Sequence, residues 1–151
     1  MQQIIVAYDG TESAKRALER GADLAKAFDA KVIVTSVASL LHSGPRADQQ
    51  FELHSPPGSG REIQRDSLAD HQAELADATA FFAERGIEAE PVAVSGDPAS
   101  AIVSLAERRN ADLVVVGTRE AGLAERVVRH SVSQQVAKKV HCDLLIVHPP
   151  H

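Results

Sequence analysis

Two strand ends in this 151-residue chain carry polar residues that suggest a ligand site. The first is Asp9-Gly10-Thr11, directly after the apolar run Ile4-Ile5-Val6-Ala7-Tyr8. The second is Gly117-Thr118-Arg119-Glu120, directly after Leu113-Val114-Val115-Val116, with His130-Ser131-Val132-Ser133 further on. A glycine after a buried strand lets a ligand come close to backbone. A helix beginning near Ser131 would offer free N–H groups and a positive dipole end to an anion. The Ser131 and Ser133 hydroxyls can add donors, and Arg119 can pair with a phosphate. Spacing alone fits a plainer account at least as well: a tight β–α turn, a serine cap and a solvated arginine. Asp9 likewise suits a helix cap or an Asx turn, and Val37 suits plain core.

Other chemistries find less support. His141, His148 and His151 stand near Cys142 without the spacing of a zinc site. Cys142 is the single cysteine, which excludes an intrachain disulfide and a cysteine-based zinc cluster. Placed just before an apolar run, it reads as an inert packing residue. The chain has no Gly-Lys-Ser/Thr phosphate loop. Neither Ser131 nor Ser133 sits in a nucleophile elbow.

The elements that must hold these residues are legible from periodicity. Apolar runs at 4–8, 32–37, 88–94, 113–116 and 144–147 read as five strands. Ala14, Ala17, Leu18, Gly21, Leu24, Ala25 and Phe28 recur at three- and four-residue steps and predict the first helix. Leu68, Leu75, Ala78 and Phe82 mark a second over 61–85, with Gly86 at its end. Asp97 as N-cap and Pro98 at the first helical position open a third. Val128, Val132, Val136 and Val140 predict a fourth over 130–140. Pro91 places the third strand at a sheet edge. Residues 39–60, with Pro45, Pro56 and Pro57, read as a long loop with one helical turn around 48–53; a loop of this length is functional or mobile. Strand and helix thus alternate, and the strands are continuous apolar runs covered on both faces. The expected fold is α/β, one open doubly wound parallel sheet in a single domain over 1–151. Ligands of such sheets bind beyond the carboxyl ends of the strands, where strand order reverses.

Composition narrows the partners. A chain this size can bury roughly 70% of its unfolded surface and needs no covalent staples. The net charge of −5 argues against a nucleic-acid binder. Aromatic residues at 3%, with no Trp, argue against stacking platforms for bases. No apolar run approaches the roughly 20 residues of a membrane span, and residues 1–4 show no secretory pattern. The expectation is a cytoplasmic protein. The acidic total is uneven. Residues 61–90 hold eight acids and three bases, whereas 117–141 hold five bases and two acids. The basic segment surrounds the candidate anion site.

The sequence resembles the universal stress protein family, in its UspA-like form, over nearly its whole length outside 39–60. The resemblance rests on IIVAYDGTESAKRALERGADLA from Ile4, on GDPASAIVSLAERRNADLVVVGTR from Gly96, and on the ending from Ser131-Val132-Ser133 through Cys142-Asp143-Leu144-Leu145-Ile146-Val147. It implies the adenine nucleotide alpha hydrolase-like sheet, strand order 3-2-1-4-5. It also implies a cleft in which Ala7, Asp9, Val37, Val116 and Gly117 meet the nucleoside. Arg119, Glu120, His130, Ser131, Val132 and Ser133 would lie on the phosphate side. Relatives that bind ATP carry Gly-x2-Gly-x9-Gly-[Ser/Thr] after strand four. Here the glycines fall on Gly117, Glu120 and His130, and Ser131 keeps the last position. Unit charges about 4 Å apart repel by roughly 4 kcal/mol at an effective dielectric near 20. A helix N-terminus returns about 0.3–1 kcal/mol, up to ~2 at best. Glu120 therefore opposes a triphosphate.

The resemblance further implies a homodimer paired through strand 144–147, an apolar edge that otherwise invites aggregation. Asp143 stands where many relatives have proline. The reading is a stress-response regulatory or scaffold module, not an enzyme, with a degenerate ATP motif. The alternative is a switch that binds ATP or AMP, with or without magnesium. A slow ATPase has least support, because no base or metal carboxylate is placed for it.

Overall fold

The β-branched runs form strands and the small-residue stripes between them form helices. A computed structural model describes residues 1–38, 59–118 and 132–150. The order is β1 (Gln3–Ala7), α1 (Glu12–Phe28), β2 (Lys31–Ala38), α2 (Ser59–Ala83), β3 (Ala89–Ser95), α3 (Pro98–Arg108), β4 (Leu113–Gly117), α4 (Val132–Lys139) and β5 (Asp143–Val147). All five strands run parallel in the order β3-β2-β1-β4-β5. The chain steps from central β1 one way to β2 and β3, then back across to β4 and β5. The switch point lies between β1 and β4, as the sequence predicts.

Strand pleating assigns the two faces. Ile4, Val6, Val32 and Val34 pack with Ala17, Leu18 and Ala22 of α1 and with Leu75, Ala78 and Phe82 of α2. Ile5, Ile33, Val114 and Val116 pack with Ile102, Leu105 and Ala106 of α3 and with Val136 of α4. Helix α1 lies so close to β1 that a Cβ on Gly21 would stand 2.7 Å from Val6 Cγ2. Any larger residue would lift the helix off the sheet.

Helix ends follow local chemistry. Thr11 caps α1, its Oγ1 accepting from the Ala14 N–H at 3.2 Å. Asp97 caps α3, accepting from the Ser100 N–H at 3.0 Å, with Pro98 in the first turn. Some boundaries differ from the periodicity. Helix α2 starts two residues early, at Ser59, and stops at Ala83 rather than 85. There the hydrogen bonds shorten to three-residue steps, Arg85 N–H to the Phe82 carbonyl and Gly86 N–H to that of Ala83. Strand β3 is shifted by one residue and α4 spans Val132–Lys139. The predicted turn around 48–53 lies outside the described residues.

Both sheet edges match the reading of the sequence. Pro91 sits in edge strand β3. On the other edge, Leu144, Leu145 and Ile146 of β5 remain only half-buried. Cys142, just before β5, is half-buried, and burial pushes its thiol above the ordinary cysteine value. That suits packing rather than reaction. Thr35 is fully buried on the α3/α4 side, yet its Oγ1 finds no hydrogen-bond partner among the described residues. No helix among the described residues is long and apolar enough to cross a membrane.

The Asp97 cap links stability to pH. Hydrogen bonds from Ser100, to its carboxylate, hold the group below its ordinary value. Such a carboxyl stabilises the fold above the unfolded-state value near 3.9 and loses that contribution as pH falls through the folded value. Asp97→Ala should therefore lower stability at pH 7 by about 0.5–2 kcal/mol. Urea unfolding should show the gap to the unaltered protein narrowing as the pH drops below about 4.

Candidate functional site

The carboxyl ends of β1, β2 and β4 bring the nucleoside-side candidates together. The pairing of Val6 with Val115 sets Ala7 beside Val116 at the ends of β1 and β4. The pairing of Ala7 with Thr35 carries Val37 two residues past that level on β2. Ala7, Val37 and Val116 all belong to the face that packs on α3 and α4. Val116 is buried, whereas Ala7, Val37 and Gly117 are half-exposed. This is an apolar wall at the switch point. A separate groove of about 330 Å³ between β3 and α3, lined by Ser95, Ser104 and Arg108 among others, shares none of these residues.

Asp9 stands on the turn that leaves β1. Its Oδ1 accepts from the Thr11 N–H at 3.1 Å and from Thr11 Oγ1 at 2.6 Å. Asp9 thus closes an Asx turn, and the cap itself is Thr11. Asp9 is exposed.

Gly117 also has close neighbours within the chain. The sequence suggests a glycine that lets a ligand approach backbone. The structure shows that the first thing to approach is the chain itself. A Cβ at Gly117 would lie 2.7 Å from the Ser13 carbonyl carbon, 2.7 Å from Ser13 Oγ and 2.8 Å from the Ala14 nitrogen. The N-terminus of α1 is seated on the end of β4. From there Ser13, buried at 4% exposure, donates its hydroxyl hydrogen to the Thr118 carbonyl. The Thr118 N–H in turn donates to the Val147 carbonyl at 2.9 Å.

Of the phosphate-side candidates, Val132 and Ser133 form the first turn of α4. Val132 packs against the α3/α4 core and Ser133 is buried. Arg119, Glu120, His130 and Ser131 lie outside the described residues.

Two polar features escaped the sequence reading. One is Ser13, which looks like any first-turn helix serine; its signal was the neighbouring cap, Thr11. The other joins β2 to α2. Ser36, buried, donates to Glu74 Oε2 at 2.7 Å and lies 2.6 Å from His71 Nδ1. A hydroxyl has one hydrogen and the carboxylate only accepts, so Nδ1 carries a proton and donates to Ser36. His71 and Glu74 also approach each other at 3.3 Å. Ser36 stands 35 positions from His71 and 38 from Glu74 in sequence, and no local pattern predicts its encounter with them. Glu74 Oε1 lies 3.9 Å from where a Gly10 Cβ would stand, so this cluster adjoins the β1–α1 turn. Nearby, burial lifts the Tyr8 phenol above its ordinary value; Asp77, Glu74 and Asp9 add to the effect and Lys15 opposes it.

The crowding at Gly117 involves backbone atoms, which no rotamer change can relieve. Gly117→Ala should destabilise the fold by about 1–3 kcal/mol in urea unfolding. An unchanged midpoint would show that α1 is not seated on β4 this tightly.

Comparison with known proteins places this geometry. The family model described as the universal stress protein family matches residues 1–148. Universal stress protein MJ0531 of Methanocaldococcus jannaschii is 30% identical over 150 residues, covering 99% of this chain and 83% of that protein. A solved universal stress protein in complex with cAMP is 28% identical, with a TM-score of 0.71, covering 99% of this chain and 98% of that one. An Arabidopsis thaliana universal stress protein family member with AMP bound shares the fold, with a TM-score of 0.71 at 20% identity over 99% of this chain and 93% of that one. By this whole-length match in sequence and fold, the chain belongs to the universal stress protein family.

Proposed function

We propose that this chain is a cytoplasmic, homodimeric stress-response module whose cleft takes an adenine nucleotide with a single phosphate. The observation that carries the reading is the meeting of Ala7, Asp9, Val37, Val116 and Gly117 at the carboxyl ends of β1, β2 and β4. The cAMP complex of the 28% identical relative supports it. Apolar walls suit a base, and the exposed Asp9 carboxylate suits ribose hydroxyls. Glu120 and His130 stand in place of two family glycines, where the outer phosphates of ATP would lie. One phosphate leaves that region empty, so AMP or cAMP avoids the repulsion that a triphosphate meets. We read the module as a binding protein rather than an enzyme, since no general base or metal carboxylate has been assigned to the cleft. It is a single domain over 1–151. An acidic balance of −5 disfavours nucleic acid as a partner.

Thermal unfolding with millimolar AMP, cAMP, ADP and ATP, each with and without magnesium, tests the ligand. AMP and cAMP should raise the midpoint, by the equivalent of about 2.7 kcal/mol at 100 times the dissociation constant. ATP should do less, and Glu120→Gly should restore its effect. No shift with any nucleotide would sink the nucleotide reading and leave a scaffold. An ATP shift as large as that of AMP would overturn the role given to Glu120.

The dimer reading rests on β5. Its half-buried Leu144, Leu145 and Ile146 lie on an edge strand that a second copy would cover. Leu145→Glu should convert dimer to monomer on sizing with light scattering. A dimer that survives the change would move the seam elsewhere.

A further inference from the structure

At the start of α1, Asp9, Thr11 and Ser13 place three side-chain oxygens in a row. Thr11 Oγ1 gives its hydrogen to Asp9 Oδ1 and accepts from the Ala14 N–H. Ser13 Oγ gives its hydrogen to the Thr118 carbonyl, which can only accept. Thr11 Oγ1 and Ser13 Oγ stand 3.3 Å apart with both hydrogens already committed. The row is therefore two separate fastenings. One shapes the turn after β1, on the nucleoside side. The other reaches across to the segment leaving β4, on the phosphate side.

The second fastening is unusually constrained. Both peptide groups that flank the Thr118 α-carbon are held, the N–H by Val147 and the C=O by Ser13. The absent Cβ of Gly117 is what admits Ser13 to this position. Ser13 is buried and Thr118 half-buried, so the bond is partly shielded from water. The backbone leaving β4 is thus held on one side by β5 and on the other by a hydroxyl from the start of α1.

We propose that Ser13 is a positioning residue of the nucleotide cleft, orienting the Gly117–Thr118 backbone that the ligand meets while not itself touching the ligand. The inference rests on the nucleotide reading above and adds a residue which that reading does not use. Ser13 acts on affinity through geometry, so its removal should cost binding out of proportion to stability.

The test compares Ser13→Ala, Ser13→Thr and Asp97→Ala in the full chain. Asp97→Ala removes a cap of comparable worth on α3 and serves as the control for stability loss alone. AMP binding is measured by calorimetry, and amide hydrogen exchange at Thr118 by NMR without ligand. Ser13→Ala should weaken AMP binding about three- to tenfold, the worth of one hydrogen bond, and speed exchange at Thr118. Ser13→Thr, which keeps the hydroxyl, should restore both, and Asp97→Ala should change neither. Equal AMP affinity in Ser13→Ala and the unaltered protein would overturn the proposal. If the unaltered protein binds no nucleotide, the nucleotide reading fails separately. Thr118 exchange then decides on Ser13 by itself. Faster exchange in Ser13→Ala than in Asp97→Ala supports the orienting role, and equal exchange refutes it. If Ser13→Ala does not fold, Ser13→Thr and Ser13→Cys carry the comparison, the thiol being the weaker donor.

Discussion

Helix α1 begins within van der Waals reach of the end of β4, and the arrangement at the switch point depends on that contact. Gly117 has no room for a side chain because Ser13 and Ala14 occupy the space. The contact joins the outward crossover through β2 and β3 to the return through β4 and β5, since α1 packs on both β1 and β4. It also fixes where the backbone stops being strand. An open doubly wound sheet leaves a crevice at its switch point by topology alone. The walls of this crevice are set by how closely the two halves are pressed together there.

The same contact explains why small residues crowd the face of α1. Ala14, Ala17, Gly21, Ala22 and Ala25 are buried beneath it. With Val6 against Gly21, helix and sheet approach backbone to side chain rather than side chain to side chain. Helix α2 meets the same face differently, through the bulk of Leu75 and Phe82 and through the Ser36–His71–Glu74 cluster near its middle. One helix is held by proximity and the other by a large apolar anchor and a buried hydroxyl. Both fastenings converge on the β1–α1 turn, where Asp9 is exposed.

Within the universal stress protein family, this chain has Glu120 and His130 at the two positions where the resemblance implies glycine. Ala7, Val37, Val116 and Gly117 lie at the carboxyl ends of strands, where the sheet itself places them. Glu120 and His130 follow β4 in the sequence.

Much was legible in the sequence because it is written in local chemistry. Alternating β-branched runs and three-to-four spaced small residues determined which segments are strand and which are helix. Asp97-Pro98 marked a helix start. Pro91 marked an edge, since a residue without an N–H cannot sit mid-sheet. The motifs after β1 and β4 pointed to the switch point of the sheet, since these two strands are neighbours there. The tertiary structure decided what those motifs do to each other. Gly117 reads from sequence as an opening for a ligand, yet its first neighbour is Ser13, 104 positions earlier. Ser36, His71 and Glu74 carry no joint signal, because a strand and a helix meet only once both are packed. Local propensity is a property of a few adjacent residues, whereas close approach and hydrogen bonding across the sheet depend on distances that only the folded chain sets.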